Sequence, residues 1–205
     1  MSTRIALDGV GGQGVRVIAG VMGALLARMG KEVTVLFDYD SSVRGSMSDA
    51  FLIFDDEPIL NPVVEEADIM LKLADKGHLR IHAPKVVADL GLDVPGAEQI
   101  PFASLGFQHF GKELFGNMIA LGRLLRLADI EFDEDAIRES LPKRFVEDNL
   151  AAIRFGYDLT EDEILRLAAA APPSRFQMNT AASAGTHERT ISAGHGVAAG
   201  APLED

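Results

Sequence analysis

The stretch GVGGQGV, residues 9–15, follows RIALD directly and leads directly into a run that is apolar along one face. Its glycines at positions 9, 11, 12 and 14 leave almost no side chain in the segment. Either the chain turns a tight corner here, or something must come close to its backbone. Gly9, Gly11 and Gly14 fit the spacing G-x-G-x-x-G, and a setting between a strand and a helix lifts that pattern above chance. In the binding reading, the turn lets a phosphate reach backbone N–H groups at the positive end of a helix dipole. In the plain reading, the glycines only let the helix pack closely on the sheet.

The flanks supply that setting. Residues 4–7 and the β-branched, aromatic EVTVLFDY of Glu32–Tyr39 read as strands. Between them Val15, Ile18, Ala19, Met22, Leu25, Leu26 and Met29 recur at spacings of three and four, which makes one helical face, and Gly30 stands where a glycine stop belongs. Parallel strands need such a crossover helix. DAFLIF (49–54) and DIMLKLA (68–74) predict two further strands. From residue 84 onward the pattern reads as mostly helical. PKVVADL (84–90) is expected to be a short helix stopped by Gly91, and FGNMIALGRLLRLA (115–128) a longer one whose glycines imply close packing. DEDAIRESLPKRF (133–145) has an acidic first turn and a Pro142 that ends or kinks it, and Thr160 with Glu163 opens another helix as a capping box. The expected fold is α/β and Rossmann-like: a mostly parallel sheet with flanking helices over residues 1–171, followed by an extended C-terminal tail. In that tail, 172–205, Ala, Gly, Ser and Thr dominate and cannot bury enough apolar surface to offset ordering entropy.

Composition removes several function classes. The formal charge of -12, without a Lys/Arg-rich run, opposes nucleic-acid binding. The longest apolar stretch, 17–27, lies between Arg16 and Arg28 and is too short to cross a bilayer, and no signal peptide opens the chain, so the expected compartment is the cytoplasm. With zero cysteines, the chain can supply neither a thiol nucleophile nor Cys ligands for an iron–sulfur cluster. His78 and His82 are four apart, but no third ligand stands at a suggestive spacing, so no metal site is expected. His109, between aromatics in GFQHFG, reads as a packed residue.

A plain Rossmann cofactor domain would place an acid at the end of its second strand, where Asp38 or Asp40 could serve, yet the continuation FDYDSSVRGSMS is unusual for one. Taken together, GVGGQGV, the apolar helix after it, Tyr39, VRGS and a following strand resemble the gamma subunit, or gamma domain, of the 2-oxoacid:ferredoxin (acceptor) oxidoreductases. PKVVADLG, GNMIALG and FVEDNLAAIRFGYDL extend the resemblance to about Asp158. Ser46 stands where that family has a second glycine after the arginine. The stretch DKGHLRIHA before PKVVADLG is shortened, and residues 93–114 form a longer segment than the family usually shows.

The resemblance implies a subunit of an enzyme that oxidatively decarboxylates a 2-oxoacid and transfers the acyl group to coenzyme A. Thiamine diphosphate, Mg and the 4Fe–4S clusters would then sit on partner chains: thiamine-binding alpha and beta subunits and a ferredoxin-like subunit. This chain would contribute assembly and part of the coenzyme A site, and in isolation it would be inactive. Gly9, Gly11, Gly12 and Gly14 would admit the pyrophosphate or a partner's backbone, Gln13 would offer its amide, and Val15 would open the helix behind them. Arg44, followed by Gly45, would pair with an anionic group or bridge to a neighbouring subunit. Tyr39 reads as a packed amphipathic residue, and Asn117 as a backbone hydrogen-bonder at a helix start, with ligand binding as the lesser reading. No residue of the chain is expected to be catalytic. The alternatives are a self-contained NAD- or FAD-binding Rossmann enzyme and a purely structural assembly subunit.

Overall fold

Glycine stops and β-branched runs set the order of elements in the computed structural model, which describes residues 2–39, 47–74, 81–92 and 94–170. Strand β1 (Thr3–Asp8) enters the glycine loop and helix α1 (Val15–Arg28) leaves it. Gly30, at φ 80, ends α1: its N–H donates to the Ala27 carbonyl at 3.1 Å, and the Lys31 N–H to Leu26 at 3.0 Å. Strands β2 (Glu32–Tyr39) and β3 (Ser48–Asp55) follow, then β4 (Ile69–Lys72), β5 (Lys85–Asp89) and β6 (Glu98–Ile100). The remaining helices are α2 (Phe102–Phe110), α3 (Gly116–Leu127), α4 (Glu134–Ser140), α5 (Val146–Asp158) and α6 (Glu161–Ala170), with a 3-10 turn at Glu113–Phe115 leading into α3.

The six strands form one sheet in the order β2-β3-β1-β4-β5-β6. The β1–β4, β4–β5 and β5–β6 ladders are parallel. β3 runs against both of its neighbours, pairing Leu52 with Ile5 on one side and with Val35 on the other. β1 and β2 therefore point the same way without touching, and the sheet is mixed rather than wholly parallel. All six helices send buried side chains into one core with one face of the sheet, among them Ile18, Leu105, Ile119, Ile137, Ile153 and Ile164 against Ile5, Leu52, Leu71 and Val87. The other face carries a smaller cluster of Ala6, Met70, Ala67 and Ala83, joined by Val64 and Ile81 from the connecting segments.

The close packing expected of the α3 glycines is present: a Cβ on Gly116 would overlap the Phe102 backbone and one on Gly122 the Ile153 carbonyl of α5, where Gly156 in turn admits the Ile119 carbonyl. The Thr160–Glu163 capping box is also formed, with the Glu163 carboxylate accepting from the Thr160 N–H at 2.9 Å and from its hydroxyl at 2.7 Å.

The expected helix at 84–90 is a strand instead. Val87 and Ala88 point to opposite faces and both are fully buried, as in an interior parallel strand. A short apolar run carries no period that separates the two states, and its Val pair favours the strand. Helix α2, not anticipated, starts at Pro101 without a side-chain cap of its own. The tail reading for 172–205 concerns residues outside those described.

Candidate functional site

The loop between β1 and α1 is held by its own side chain. The Gln13 N–H closes a turn on the Val10 carbonyl at 3.1 Å. Its side-chain Oε1 accepts from the Val10 N–H at 2.8 Å, while Nε2 donates to the Leu73 carbonyl at the end of β4 at 2.7 Å. On the other flank the Ser48 N–H donates to the Gly9 carbonyl at 3.0 Å. Gly12 and Gly14 both lie at positive φ, 98 and 77, and a Cβ on Gly14 would overlap the Asn117 side-chain amide. Both backbone angle and space therefore require glycine at position 14.

Helix α1 begins at this loop with no side-chain cap and no acidic residue in its first turn. Arg16 stands there instead, its guanidinium 4.9 Å from the centre of the Phe37 ring. α2 and α3 share the lack of a first-turn acid, whereas α4, α5 and α6 each carry acidic residues there. An uncapped N-terminus with a cation beside it is suited to an anion from outside the chain.

Above the loop lies a cleft of about 630 Å³. One wall is the loop itself, with Gly11, Gly12, Gly14 and Val15. The opposite wall is Asn117 and Met118 at the start of α3, and the rim comprises Arg144, Phe145 and Asn149 from the connection of α4 to α5. That connection is fixed by Pro142, which forces extended backbone on Leu141 and stops α4, and by Phe145 at φ 57. The Phe145 ring holds two cations, Lys112 Nζ at 4.1 Å and the Arg144 guanidinium at 4.7 Å from its centre. No aspartate or glutamate lines the cleft among the described residues, on a chain whose formal charge is -12.

The structure thus gathers Gly11, Gly12, Gly14 and Val15 at one surface, although the Val15 side chain is itself core. Gly9 lies behind the loop, where a Cβ would come 2.6 Å from Val15 Cγ2, and the Gln13 amide is engaged with the chain's own backbone. Tyr39 pairs through its backbone with Ser48 at the end of β2; Arg44, Gly45 and Asp40 lie outside the described residues. Asp38 stands on β2, and β3 separates it from β1 by two strand spacings, about 10 Å. The acid that would grip a ribose in a dinucleotide domain is therefore displaced from the loop. Arg16, Arg144, Phe145 and Asn149 did not stand out in the sequence. Their one local signal is the Pro142-Lys143-Arg144 break between two helices.

Charges elsewhere have structural work. Asp8 and Lys72, side by side at the ends of β1 and β4, pair at 3.3 Å. Arg123 makes two contacts of 2.7 Å with Glu98 and one of 2.9 Å with the Leu159 carbonyl, at the β6 edge of the sheet, three strands away from β1. Burial pushes the Asp89 carboxyl up to about 7, against the lowering effect of the Phe102 N–H it accepts. His109 stacks on Phe155 at 4.6 Å, and no cluster of three metal-ligating side chains occurs among the described residues. No helix among them is long and apolar enough to cross a membrane.

An α/β sheet with its helices' core on one face and an uncapped glycine loop at a cation-lined cleft is the frame this site stands on. The chain belongs to the pyruvate ferredoxin/flavodoxin oxidoreductase family, whose model matches residues 4–159. It is 30% identical over 180 residues to the 2-oxoglutarate synthase subunit KorC of Methanocaldococcus jannaschii, covering 79% of this chain and 96% of that protein. With the KorC subunit of Archaeoglobus fulgidus it shares 29% over 161 residues, 76% of this chain and 86% of that one. Its fold matches the gamma subunit of a keto/oxoacid ferredoxin oxidoreductase from Geobacter sulfurreducens, with a TM-score of 0.63 at 22% identity over 82% of this chain and 98% of that one. It also matches the 2-oxoglutarate:ferredoxin oxidoreductase of Magnetococcus marinus, with a TM-score of 0.61 at 20% identity; there the match covers 84% of this chain but 32% of a longer one.

Proposed function

We propose that, within the 2-oxoacid:ferredoxin oxidoreductase of which this chain is the gamma subunit, the cleft above the glycine loop receives the phosphate-bearing part of the acyl acceptor, coenzyme A. The observation that carries this is the charge pattern: the one helix N-terminus built into the loop is uncapped, Arg16 and Arg144 stand beside it, and no acid lines the cleft. The Magnetococcus marinus enzyme has been solved with 2-oxoglutarate, coenzyme A and succinyl-CoA bound.

In this reading the N–H groups at the start of α1 and the two guanidiniums neutralise a pyrophosphate, while Asn117 and Asn149 offer amides to its neighbours. Leu114 and Met118 supply the apolar side of the cleft for an aliphatic chain. Thiamine diphosphate with Mg belongs in this reading to thiamine-binding alpha and beta chains, and the iron–sulfur clusters to a ferredoxin-like chain, since this chain has no cysteine to ligate a cluster. Those groups supply decarboxylation and the removal of two electrons; this chain binds and orients the acceptor and is inactive alone.

The test compares coenzyme A with pantetheine, which keeps the thiol arm but lacks the phosphates. In the assembled complex, Arg144→Ala should raise KM for coenzyme A about tenfold, the loss of one charged hydrogen bond, and leave pantetheine turnover unchanged. An equal effect on both acceptors would remove the phosphate from this cleft.

A further inference from the structure

The glycine loop lies where the connections of the sheet part company. From β1 the chain runs through α1 to β2 on one side, and from β4 it continues to β5 and β6 on the other. In open α/β sheets such a point leaves a crevice beyond the strand ends, and ligands ordinarily enter there. Here one side chain spans it. Gln13, on the β1 side, takes the Val10 N–H at 2.8 Å with one end of its amide and reaches the Leu73 carbonyl at 2.7 Å with the other. Leu73 is fixed in turn by its own N–H, which donates to the Asp8 carbonyl at 2.8 Å.

We infer that Gln13 is a positioning residue that bolts the glycine loop to the end of β4, closes the crevice between β1 and β4 to a dinucleotide, and turns the loop's backbone toward the cleft beside α3. The inference rests on the acyl-acceptor reading of that cleft, and it changes the part Gln13 plays there. Both polar ends of its amide meet the chain's own backbone, so it acts on a ligand through the loop rather than by touching it. The lining of the cleft agrees: Gly11, Gly12, Gly14 and Asn117 face it, whereas Asp8, Lys72 and Leu73 do not. A hydrogen bond across the strand ends also limits how far the loop can open, since opening leaves the Gln13 amide without its acceptor and the Leu73 carbonyl without its donor.

The experiment uses the assembled complex with Gln13→Glu, which keeps the acceptor for Val10 but sets a carboxylate against the Leu73 carbonyl, and Gln13→Ala, which removes both contacts. Hydrogen exchange across the glycine loop should accelerate about five- to tenfold in both, and KM for coenzyme A should rise about three- to tenfold with kcat within about twofold. Unchanged exchange in both variants overturns the inference whatever the kinetics show. Faster exchange with unchanged KM, while Arg144→Ala still raises it, also overturns it and leaves the acyl-acceptor reading standing. If neither Gln13 nor Arg144 variants move KM, the acyl-acceptor reading falls, and accelerated exchange then supports only the bolt between loop and strand.

Discussion

Gly11 and Gly14 are separated by two residues and do different things. Gly14 lies at φ 77 with the Asn117 amide where a side chain would go, whereas Gly11 is exposed, has no positive φ and lines the cleft. Valine at position 14 must adopt a left-handed backbone and displace Asn117, so Gly14→Val should lower the melting temperature of the chain by roughly 5–10 °C. Gly11→Val should shift it by about 2 °C or less and still raise KM for coenzyme A in the complex, because position 11 is exposed, needs no left-handed backbone and lines the cleft. Matched losses of stability in the two variants would reduce the whole loop to a packing device. The glycine pattern was legible because backbone demand is written locally, residue by residue. The task of Gln13 was not, since its second partner, Leu73, is 60 residues away.

At the scale of elements, α2 shows how a helix can be started from outside. Pro101 offers it no cap, and the Asp89 carboxyl at the end of β5 accepts the Phe102 N–H instead. Nothing near Phe102 in sequence marks that start, and the strand that supplies the carboxyl was itself read as a helix. Burial raises the Asp89 carboxyl from 3.8 to about 7. Between those values the folded chain keeps a proton that the unfolded chain has released. The contribution of Asp89 to stability is therefore highest below about pH 4, declines as pH rises through that window, and is lowest above about pH 7. Asp89→Asn has no proton to lose. It should melt with wild type near pH 4 and be more stable at pH 8, by on the order of 4 kcal/mol. Melting curves of the two proteins that stay parallel from pH 4 to 8 would show that Asp89 does not titrate there.

For the whole molecule, the sequence made the class of fold visible through its strand–glycine–helix opening, but not the order of the sheet. The insertion of β3 between β1 and β2 depends on pairings such as Leu52 with both Ile5 and Val35, which no local pattern encodes. The cleft was equally hidden, because its walls come from separate stretches near residues 11–17, 47–48, 114–118 and 142–149. The family match ends at residue 159, and the segment 172–205 lies beyond it with few large apolar side chains. Such a composition serves poorly as a core, and we predict that Phe176, Met178 and Ile191 anchor the segment on a neighbouring subunit. Each buried large apolar side chain contributes roughly 1.5–3 kcal/mol before ordering costs, so three of them leave a modest surplus. Truncation after Ala171 should therefore leave the melting temperature of the isolated chain within about 2 °C and weaken its incorporation into the complex about ten- to a hundredfold. Titration of the partner subunits with full-length and truncated chains, followed by native mass spectrometry, reads that ratio directly. Equal incorporation would deny the segment any part in assembly.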